Sequence, residues 1–244
     1  MARDKRLCWG FGLIGLALIM FPGIDLGVAR LFFRPDEADR TLRFVFNDAP
    51  FADAVHAFAI LGSAVLAALL LLAFLWCAIR LRPFWGLGTV QWLFLLLALL
   101  VGPGLMANLV FKDNWHRPRP VQIEEFGGPA HFTPPLVMAD AKQCDRNCAF
   151  VCGDASAGFF LTAFAYVARR RRREIFWAGL GAGLVTGLVR IGQGAHFLSD
   201  VLYAGALILA VTAALHALFW GRAATVAWWR EVVLGDDRGG SPAG

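Results

Sequence analysis

The sequence is poor in charged residues. Asp, Glu, Lys and Arg make up 17% of its 244 residues and hydrophobic residues 58%, whereas ordinary soluble domains carry about 25% charged residues. It shows no internal repeat, no low-complexity domain and no stretch typical of a second, soluble domain. It also lacks a dense cluster of carboxylates or of His and Cys, so we expect no metal ion and no other cofactor. These absences favour an integral membrane protein.

Several apolar stretches approach the roughly 20 residues that a helix needs to cross a bilayer. We predict an all-α bundle of six transmembrane helices. The stretches cover about residues 7–28, 55–79, 86–111, 149–168, 175–191 and 200–220. The first lacks a small-x-small cleavage site, so we interpret it as a retained helix and not as a signal peptide. The fifth is short and rich in glycine, which would let neighbouring helices approach closely.

The six helices are expected to form a single domain over residues 1–220, followed by two further pieces. Residues 221–235 are predicted to lie at the membrane interface through Trp228 and Trp229. Residues 236–244 are polar and glycine-rich, which predicts a disordered tail. Neither piece carries chemistry that the sequence identifies.

Basic residues predict the orientation of the chain. They cluster before the first stretch, after the second, and in five consecutive arginines at 169–173. Because short cytoplasmic loops are enriched in Lys and Arg, we expect both termini in the cytoplasm. Loops 112–148 and 190–199 then open on the other side. We interpret the arginine run as this topology signal and not as a nucleic-acid patch, and the oligomeric state stays open.

A first polar motif, Lys112-x6-Arg119-Pro120, lies just outside the third apolar stretch. Within it, two arginines alternate with two prolines, which fix the backbone and prevent the helix from continuing. A rigid guanidinium suits phosphate oxygens, and an ammonium adds a compact charge. Lys112 and Arg119 are therefore candidate phosphate ligands, although either one alone could be an interfacial anchor.

Another polar motif, nearer the C-terminus, is Arg190-x5-His196-x3-Asp200. It supplies a further cation, an imidazole and a carboxylate. His196 and Asp200 would share one face of a helical turn. The carboxylate could then fix the imidazole tautomer, as in nucleophile–base–orienter triads. Taken singly, His196 would be a polar loop residue and Asp200 a helix cap. Together the two motifs predict a site that holds a phosphate, and the lipid-length helices beside it point to a phosphate carried by a lipid.

These motifs resemble those of the type 2 phosphatidic acid phosphatase (PAP2) superfamily: Lys-x6-Arg-Pro, then Pro-Ser-Gly-His, then Ser-Arg-x5-His-x3-Asp. The first motif is complete here, and the third has Val189 where serine is usual. The second falls on residues 151–154, where only Gly153 is kept. The resemblance implies a six-helix membrane phosphatase of the PAP2 type. Its catalytic loops would face the periplasm from a multi-pass protein of the bacterial inner membrane.

The resemblance also implies a mechanism. His196 would attack phosphorus to form a phospho-histidine, Asp200 would hold the far nitrogen of the imidazole, and water would then release phosphate. Cations already in place stabilise charge as it develops, so this mechanism requires no metal ion. The phosphoryl oxygens would be bound by three cations and by backbone N–H groups, at Lys112, Arg119, Arg190 and Gly153.

Asp154 stands where the family has a histidine that protonates the leaving oxygen. A free aspartic acid is ionised at pH 7 and nearby cations favour the charged form, so three interpretations stay open. In the first, Asp154 is a working acid in a desolvated pocket. In the second, it only orients a cation. In the third, the site has lost catalysis. Cys152 replaces the family serine. A thiol is a weaker donor than a hydroxyl, so we expect the backbone to bind phosphate there and assign Cys152 no nucleophilic role.

Cys144, Cys148 and Cys152 recur at every fourth position. Structural zinc sites usually take pairs of ligands from two separated segments, and the sequence offers no second pair. We therefore interpret Cys144 and Cys148 as loop cysteines on an oxidising side of the membrane. A disulfide between them is one of two open alternatives.

The identity of the lipid is suggested by the segment 124–135 and by the carboxylate at position 154. Both are similar to bacterial PAP2 enzymes that dephosphorylate lipid A, notably the 4′-phosphatase group. The expected reaction is hydrolysis of the 4′- or 1-phosphate of lipid A. A phosphatase for undecaprenyl diphosphate or phosphatidylglycerol phosphate is the alternative within the family. A non-catalytic phospholipid-binding protein and a small transporter are the alternatives outside it, although the surest apolar segments lack the midplane charges of a transporter.

Overall fold

The computed structural model describes residues 21–38, 43–112 and 114–235. Across these ranges the chain is helical, with isolated β-bridges and no strand. The α-helices are α1 (Gly23–Arg30), α2 (Pro50–Arg80), α3 (Thr89–Leu99), α4 (Gly153–Phe160), α5 (Phe164–Val167), α6 (Arg172–Gly192), α7 (Leu198–Trp220) and α8 (Arg222–Val232). A π-helix continues α3, and 3-10 turns add short pieces, at Leu100–Phe111, Pro120–Gln122, Glu124–Phe126 and Leu161–Ala163.

Four helices are long and apolar enough to cross a membrane: α2, α3 with its π-helical continuation, α6 and α7. They coincide with four of the six predicted spans. In α2 the most apolar window is only 11% buried, and side chains such as Phe58, Leu61 and Leu72 point outward. An outward apolar face of this length is what a bilayer covers. The protein is therefore a membrane protein.

The other two predicted spans differ. The stretch 149–168 contains no single long helix, because α4, a 3-10 turn and α5 follow one another there. Most of the stretch 7–28 lies outside the described residues, as does the tail 236–244, and only its end is seen, in α1. The count of six spans is thus neither met nor excluded by the described helices.

The glycines of α6 allow this helix to approach the end of α4 and the 3-10 turn that follows it. A Cβ on Gly179 would lie 2.5 Å from the backbone nitrogen of Thr162, and one on Gly183 would lie 2.3 Å from the ring of Phe159. A side chain at either position would force the helices apart. The prediction of a glycine-mediated crossing is confirmed at these positions, whereas Gly181 faces open space.

The π-helix places the first motif. Pro103 has no N–H to donate, so a regular α-helical ladder cannot run through this position, and π-helical turns are frequent at functional sites. The side chain of Asn108 donates to the Pro103 carbonyl at 2.7 Å. The helix ends at Phe111, directly before Lys112. Lys112 therefore lies at the C-terminal end of a membrane-spanning helix.

The C-terminal helix α8 packs on the bundle through Trp228. Its indole stacks on Tyr166 with 3.7 Å between ring centroids, and its Nε1 donates to the Ala165 carbonyl at 3.2 Å. Trp228 is thus a core residue. The location of 221–235 at the interface stays a prediction.

Candidate active site

The candidate site lies where four helix ends meet. These are the C-terminal ends of the π-helix and α6 and the N-terminal ends of α4 and α7. The backbone N–H of Cys152, just before α4, donates to the carbonyl of Asp200 in the first turn of α7 at 3.2 Å. The side chain of Asp154 meets that of Arg190, with 2.8 Å between Oδ2 and Nε. These two contacts join the segment 151–154 to the motif 190–200, and Gly153 lies next to Lys112 of the first motif.

His196 is 1% exposed, and its Nδ1 lies 2.7 Å from the Ala149 carbonyl oxygen. A carbonyl oxygen can only accept, so Nδ1 carries the proton and Nε2 keeps its lone pair. Burial lowers the pKa of His196 to about 4, and Lys112 and Arg119 act in the same direction while Asp200 opposes them. The imidazole is therefore neutral at pH 7 with a bare Nε2. That is the form a nitrogen nucleophile needs.

Asp200 lies beside this histidine but does not bind it directly. Its Oδ2 is 3.7 Å from Nδ1 of His196, beyond hydrogen-bond range. The same oxygen accepts the backbone N–H of Phe197 at 2.7 Å, so Asp200 also stabilises the start of α7. The expected neighbourhood of His196 and Asp200 is present, and the tautomer is fixed by the Ala149 carbonyl.

Arg117 was given no role by the sequence, and it proves to be fully buried. Its Nη1 pairs with Oδ1 of Asp200, and its Nη2 lies 2.8 Å from Oδ2 of Asp25 in α1. Its Nε donates to the Thr133 carbonyl at 2.9 Å, and its guanidinium lies 4.5 Å from the ring centroid of Phe197. The cation is thus held between two buried carboxylates.

Asp25 is the second member of this network that the sequence did not single out. Besides Arg117, it accepts the backbone N–H of Ser199 at 2.8 Å and the Ser199 hydroxyl. The signal was available, because a carboxylate inside a predicted membrane span implies a partner. Asp25 links α1 to the first turn of α7, close to Asp200.

The three predicted phosphate-binding cations surround the start of α4. Burial lowers the pKa of Lys112, and Asp154 opposes that shift. The pKa of Arg119 is lowered by burial and then by the charge of Arg190, although a guanidinium remains protonated. Both shifts come first from burial and then from cations held close together. An anion would relieve that repulsion, and this is the electrostatic character of a phosphate site.

The side chains of Arg119 and Arg190 are held in position by hydrogen bonds to carbonyl or amide oxygens. Arg119 donates through Nε and Nη2 to the Asn147 carbonyl at 3.1 and 2.7 Å. Arg190 donates through Nη1 to Oε1 of Gln193, and Gln193 in turn donates to Asp53 of α2 at 3.2 Å. Nε of Arg190 lies close enough to Asp154 for an ion pair but is not aligned for a hydrogen bond.

Position 153 requires glycine because its surroundings leave no room for a Cβ atom. A Cβ there would lie 2.6 Å from Oδ1 of Asn108 and 3.4 Å from Nζ of Lys112. The first N–H groups of a helix have no partner within the helix and attract anions. The start of α4 therefore brings backbone donors next to Lys112, as the sequence predicts.

Asp154 contacts a residue that the sequence analysis missed. Nδ1 of His56, in the second turn of α2, lies 2.8 Å from its Oδ2. His56 and Asp154 line a cavity of about 430 Å³ together with Lys112 and Gly153. The remaining wall is largely apolar and comes from α2, α3 and the π-helix, including Ile60, Ala64, Ala67, Leu99 and Leu100. A charged end and an apolar wall match a lipid phosphate.

The open question of the loop cysteines is answered: Cys144 and Cys148 form a disulfide, with 5.8 Å between their Cα atoms. The bridge closes a short loop that contains Asn147, the acceptor for Arg119. Ala149, the acceptor for His196, follows directly. Cys152 is a buried free thiol.

A membrane-spanning helical protein with a neutral histidine beside clustered cations belongs to the class of integral membrane phosphate-handling proteins. The family model of the PAP2 superfamily matches residues 91–224. A lipid A 4′-phosphatase of Rhizobium etli is 31% identical over 230 residues, covering 87% of this chain and 85% of the relative. The chain belongs to the PAP2 superfamily.

Two further relatives carry the same name. The protein of Rhizobium leguminosarum is 32% identical over 207 residues, covering 81% of this chain and 88% of its own. The protein of Francisella tularensis subsp. novicida is 46% identical over 129 residues, covering 52% of this chain and 57% of its own, so the match spans little more than half of that relative. No solved structure matches the chain significantly. The predicted family and phosphatase class are confirmed.

Proposed function

We propose that the protein hydrolyses the 4′-phosphate of lipid A through a phospho-histidine on His196. The observation that carries the proposal is the neutral, buried imidazole whose Nδ1–H is fixed by Ala149, beside Lys112, Arg119 and Arg190. The names of three relatives support the substrate. The cavity with one charged end and an apolar wall supports a lipid.

In the first step Nε2 of His196 attacks phosphorus and the bond to the sugar oxygen breaks. Lys112, Arg119 and Arg190 bind the non-bridging oxygens, with backbone N–H groups at Gly153. Positioned cations stabilise the charge that develops on these oxygens. The catalytic work is therefore mostly positioning and electrostatics.

The imidazole of His196 becomes positively charged as its bond to phosphorus forms. Asp200, 3.7 Å from Nδ1, stabilises that charge. Arg117 and Asp25 hold Asp200 in place from the other side. Water then attacks the phospho-histidine and releases phosphate.

Asp154 is assigned to the leaving-group side of this reaction. Of the three roles left open by the sequence, its contact with Arg190 supports an orienting role. Its second contact, with His56, connects it to proton transfer. Loss of catalysis is the alternative that this assignment rejects.

We place the site on the periplasmic face of the inner membrane, with six spans and cytoplasmic termini. The disulfide at Cys144–Cys148 supports this side, because structural disulfides form in oxidising compartments. The basic clusters at 80–82 and 169–173 support it from the other side. Cysteine labelling of residues introduced at 140 and 171 in intact cells tests the assignment, and equal labelling of both would contradict it.

The activity is tested with purified protein in detergent, lipid A and EDTA. Mass spectrometry should show loss of the 4′-phosphate, and an alkaline quench should trap a phosphoenzyme. His196→Ala should abolish turnover and the phosphoenzyme, whereas His131→Ala, at an exposed histidine in the loop, should retain both. Turnover by His196→Ala would refute the mechanism. Preference for a prenyl diphosphate, or loss of the 1-phosphate, would refute the substrate assignment.

A further inference from the structure

The cavity that contains Lys112 is lined by a histidine that the family motifs do not account for. His56 lies on α2, outside the region that the family model matches. Its side chain is 41% exposed, whereas that of Asp154 is 8% exposed. Both line the cavity that reaches Lys112 and Gly153. His56 is therefore the more accessible of the two to a bound lipid.

Asp154 is poorly placed to donate a proton. Its Oδ2 lies 2.8 Å from Nε of Arg190 and 2.8 Å from Nδ1 of His56. Both contacts fall on the same carboxylate oxygen, so this carboxylate is engaged in holding two basic side chains. The group that it contacts is an imidazole, the side chain most often used for general acid–base catalysis.

We propose that His56 is the general acid of this site and that Asp154 is the positioning residue that holds it. The proposal rests on the phosphatase function above. The carboxylate takes the Nδ1 side of His56, which leaves Nε2–H for the leaving oxygen. The family histidine of the second motif is thus replaced by an imidazole from another helix, and the residue at its old position becomes the support.

The reaction balances with these groups. As Nε2 of His196 bonds to phosphorus and the bond from phosphorus to the sugar oxygen breaks, His56 passes its Nε2 proton to that oxygen. The products are a lipid hydroxyl, a phospho-histidine and a neutral His56. In the second step His56 takes a proton from the water that attacks phosphorus. Phosphate leaves, His196 is freed and His56 is protonated again.

The charges around His56 come from several elements. Asp154 on α4 contacts His56, and Asp53 lies one turn before His56 on α2. Lys112 at the end of the π-helix lines the same cavity, and Arg190 on α6 pairs with Asp154. Gln193 links two of these groups, because it accepts from Arg190 and donates to Asp53. The chain of contacts holds the start of α2 against the end of α6, and so keeps His56 beside the site.

The test compares two leaving groups. The sugar hydroxyl of lipid A needs a proton as it leaves, whereas the phenolate of 4-nitrophenyl phosphate does not. General acid catalysis is worth about 100- to 10,000-fold. His56→Gln should therefore lower kcat/KM, which reports formation of the phosphoenzyme, by about 100-fold or more on lipid A and by less than about fivefold on 4-nitrophenyl phosphate. His131→Gln is the matched control and should affect neither substrate.

Two further measurements separate chemistry from structure. The alkaline limb of the lipid A pH–rate profile should disappear in His56→Gln, which a structural role would not cause. Asp154→Asn should lose no more than His56→Gln, and the double variant should lose little beyond it, because the residues act as one unit. Added imidazole should partly restore His56→Ala on lipid A.

The outcomes also separate this proposal from the general function. His196→Ala should abolish both activities, which tests the nucleophile alone. Equal losses on the two substrates in His56→Gln, or an unchanged alkaline limb, would overturn the acid role of His56 and leave the phosphatase function standing. Absence of turnover in the wild-type protein would overturn both.

Discussion

Replacing Arg117 by methionine gives the sharpest test of the buried charge network. Arg117 lies between Asp200 and Asp25 with no exposed surface. Removing the cation leaves two carboxylates buried beside each other, and breaking one buried ion pair costs about 3–5 kcal/mol. A typical domain is stable by only about 5–15 kcal/mol. Arg117→Met should therefore lose a large part of its stability, and the residual kcat on 4-nitrophenyl phosphate should fall because Asp200 is no longer held.

The assay is the half-life of activity at raised temperature in detergent, measured with kcat for each variant. Arg172→Met is the matched control, since Arg172 pairs with Glu231 at 3.4 Å near the surface and such pairs are worth at most about 1 kcal/mol. Arg117→Met/Asp25→Asn should regain part of the loss, because it strands only one carboxylate. Equal stability of the two arginine variants, or no recovery in the double variant, would refute the account.

Three other predictions concern the site itself. Because burial lowers the pKa of His196 to about 4, the nucleophile stays neutral as pH falls. The value of kcat/KM on 4-nitrophenyl phosphate, which reports the free enzyme, should therefore drop only as pH approaches that pKa; an acid limb of kcat/KM centred near the ordinary imidazole pKa of about 6.5 would contradict this. Arg119→Lys should lose one charged hydrogen bond, about 1.5–3 kcal/mol or roughly 10- to 150-fold in kcat/KM; a wild-type value would exclude a forked contact. Gly153→Ala should push Lys112 or Asn108 away and cost about 100-fold in kcat, whereas Gly181→Ala, whose methyl meets nothing within 4 Å, should be silent; equal rates would remove Gly153 from the site.

The motif residues could be predicted because each motif is local. The spacing of His196 and Asp200 fixes their relation within one helical turn, and the prolines after Lys112 end the helix where the phosphate site begins. Four spans could be predicted from hydropathy alone. Sequence also shows that α6 carries small residues, and the structure puts Gly179 and Gly183 at its closest crossing.

The remainder depends on tertiary contacts that no local pattern contains. His56 meets Asp154 across 98 positions of sequence, and Arg117 meets Asp25 across 92. A histidine in an apolar helix and an aspartate beside one signal a partner but do not identify it. The break in the stretch 149–168 was hidden as well, because its hydropathy is that of one helix whereas the structure has shorter pieces there, packed against α6.

The position of Asp25 and His56 in the chain has a consequence for how the family is compared. The matched PAP2 region begins at residue 91, yet Asp25 anchors the arginine behind Asp200 and His56 stands against Asp154. A motif search over that region alone overlooks Asp25, which supports the site, and His56, which lines its cavity. A design that grafts the catalytic region onto another scaffold must therefore include α1 and α2. Without them the grafted motifs lack Asp25 and His56.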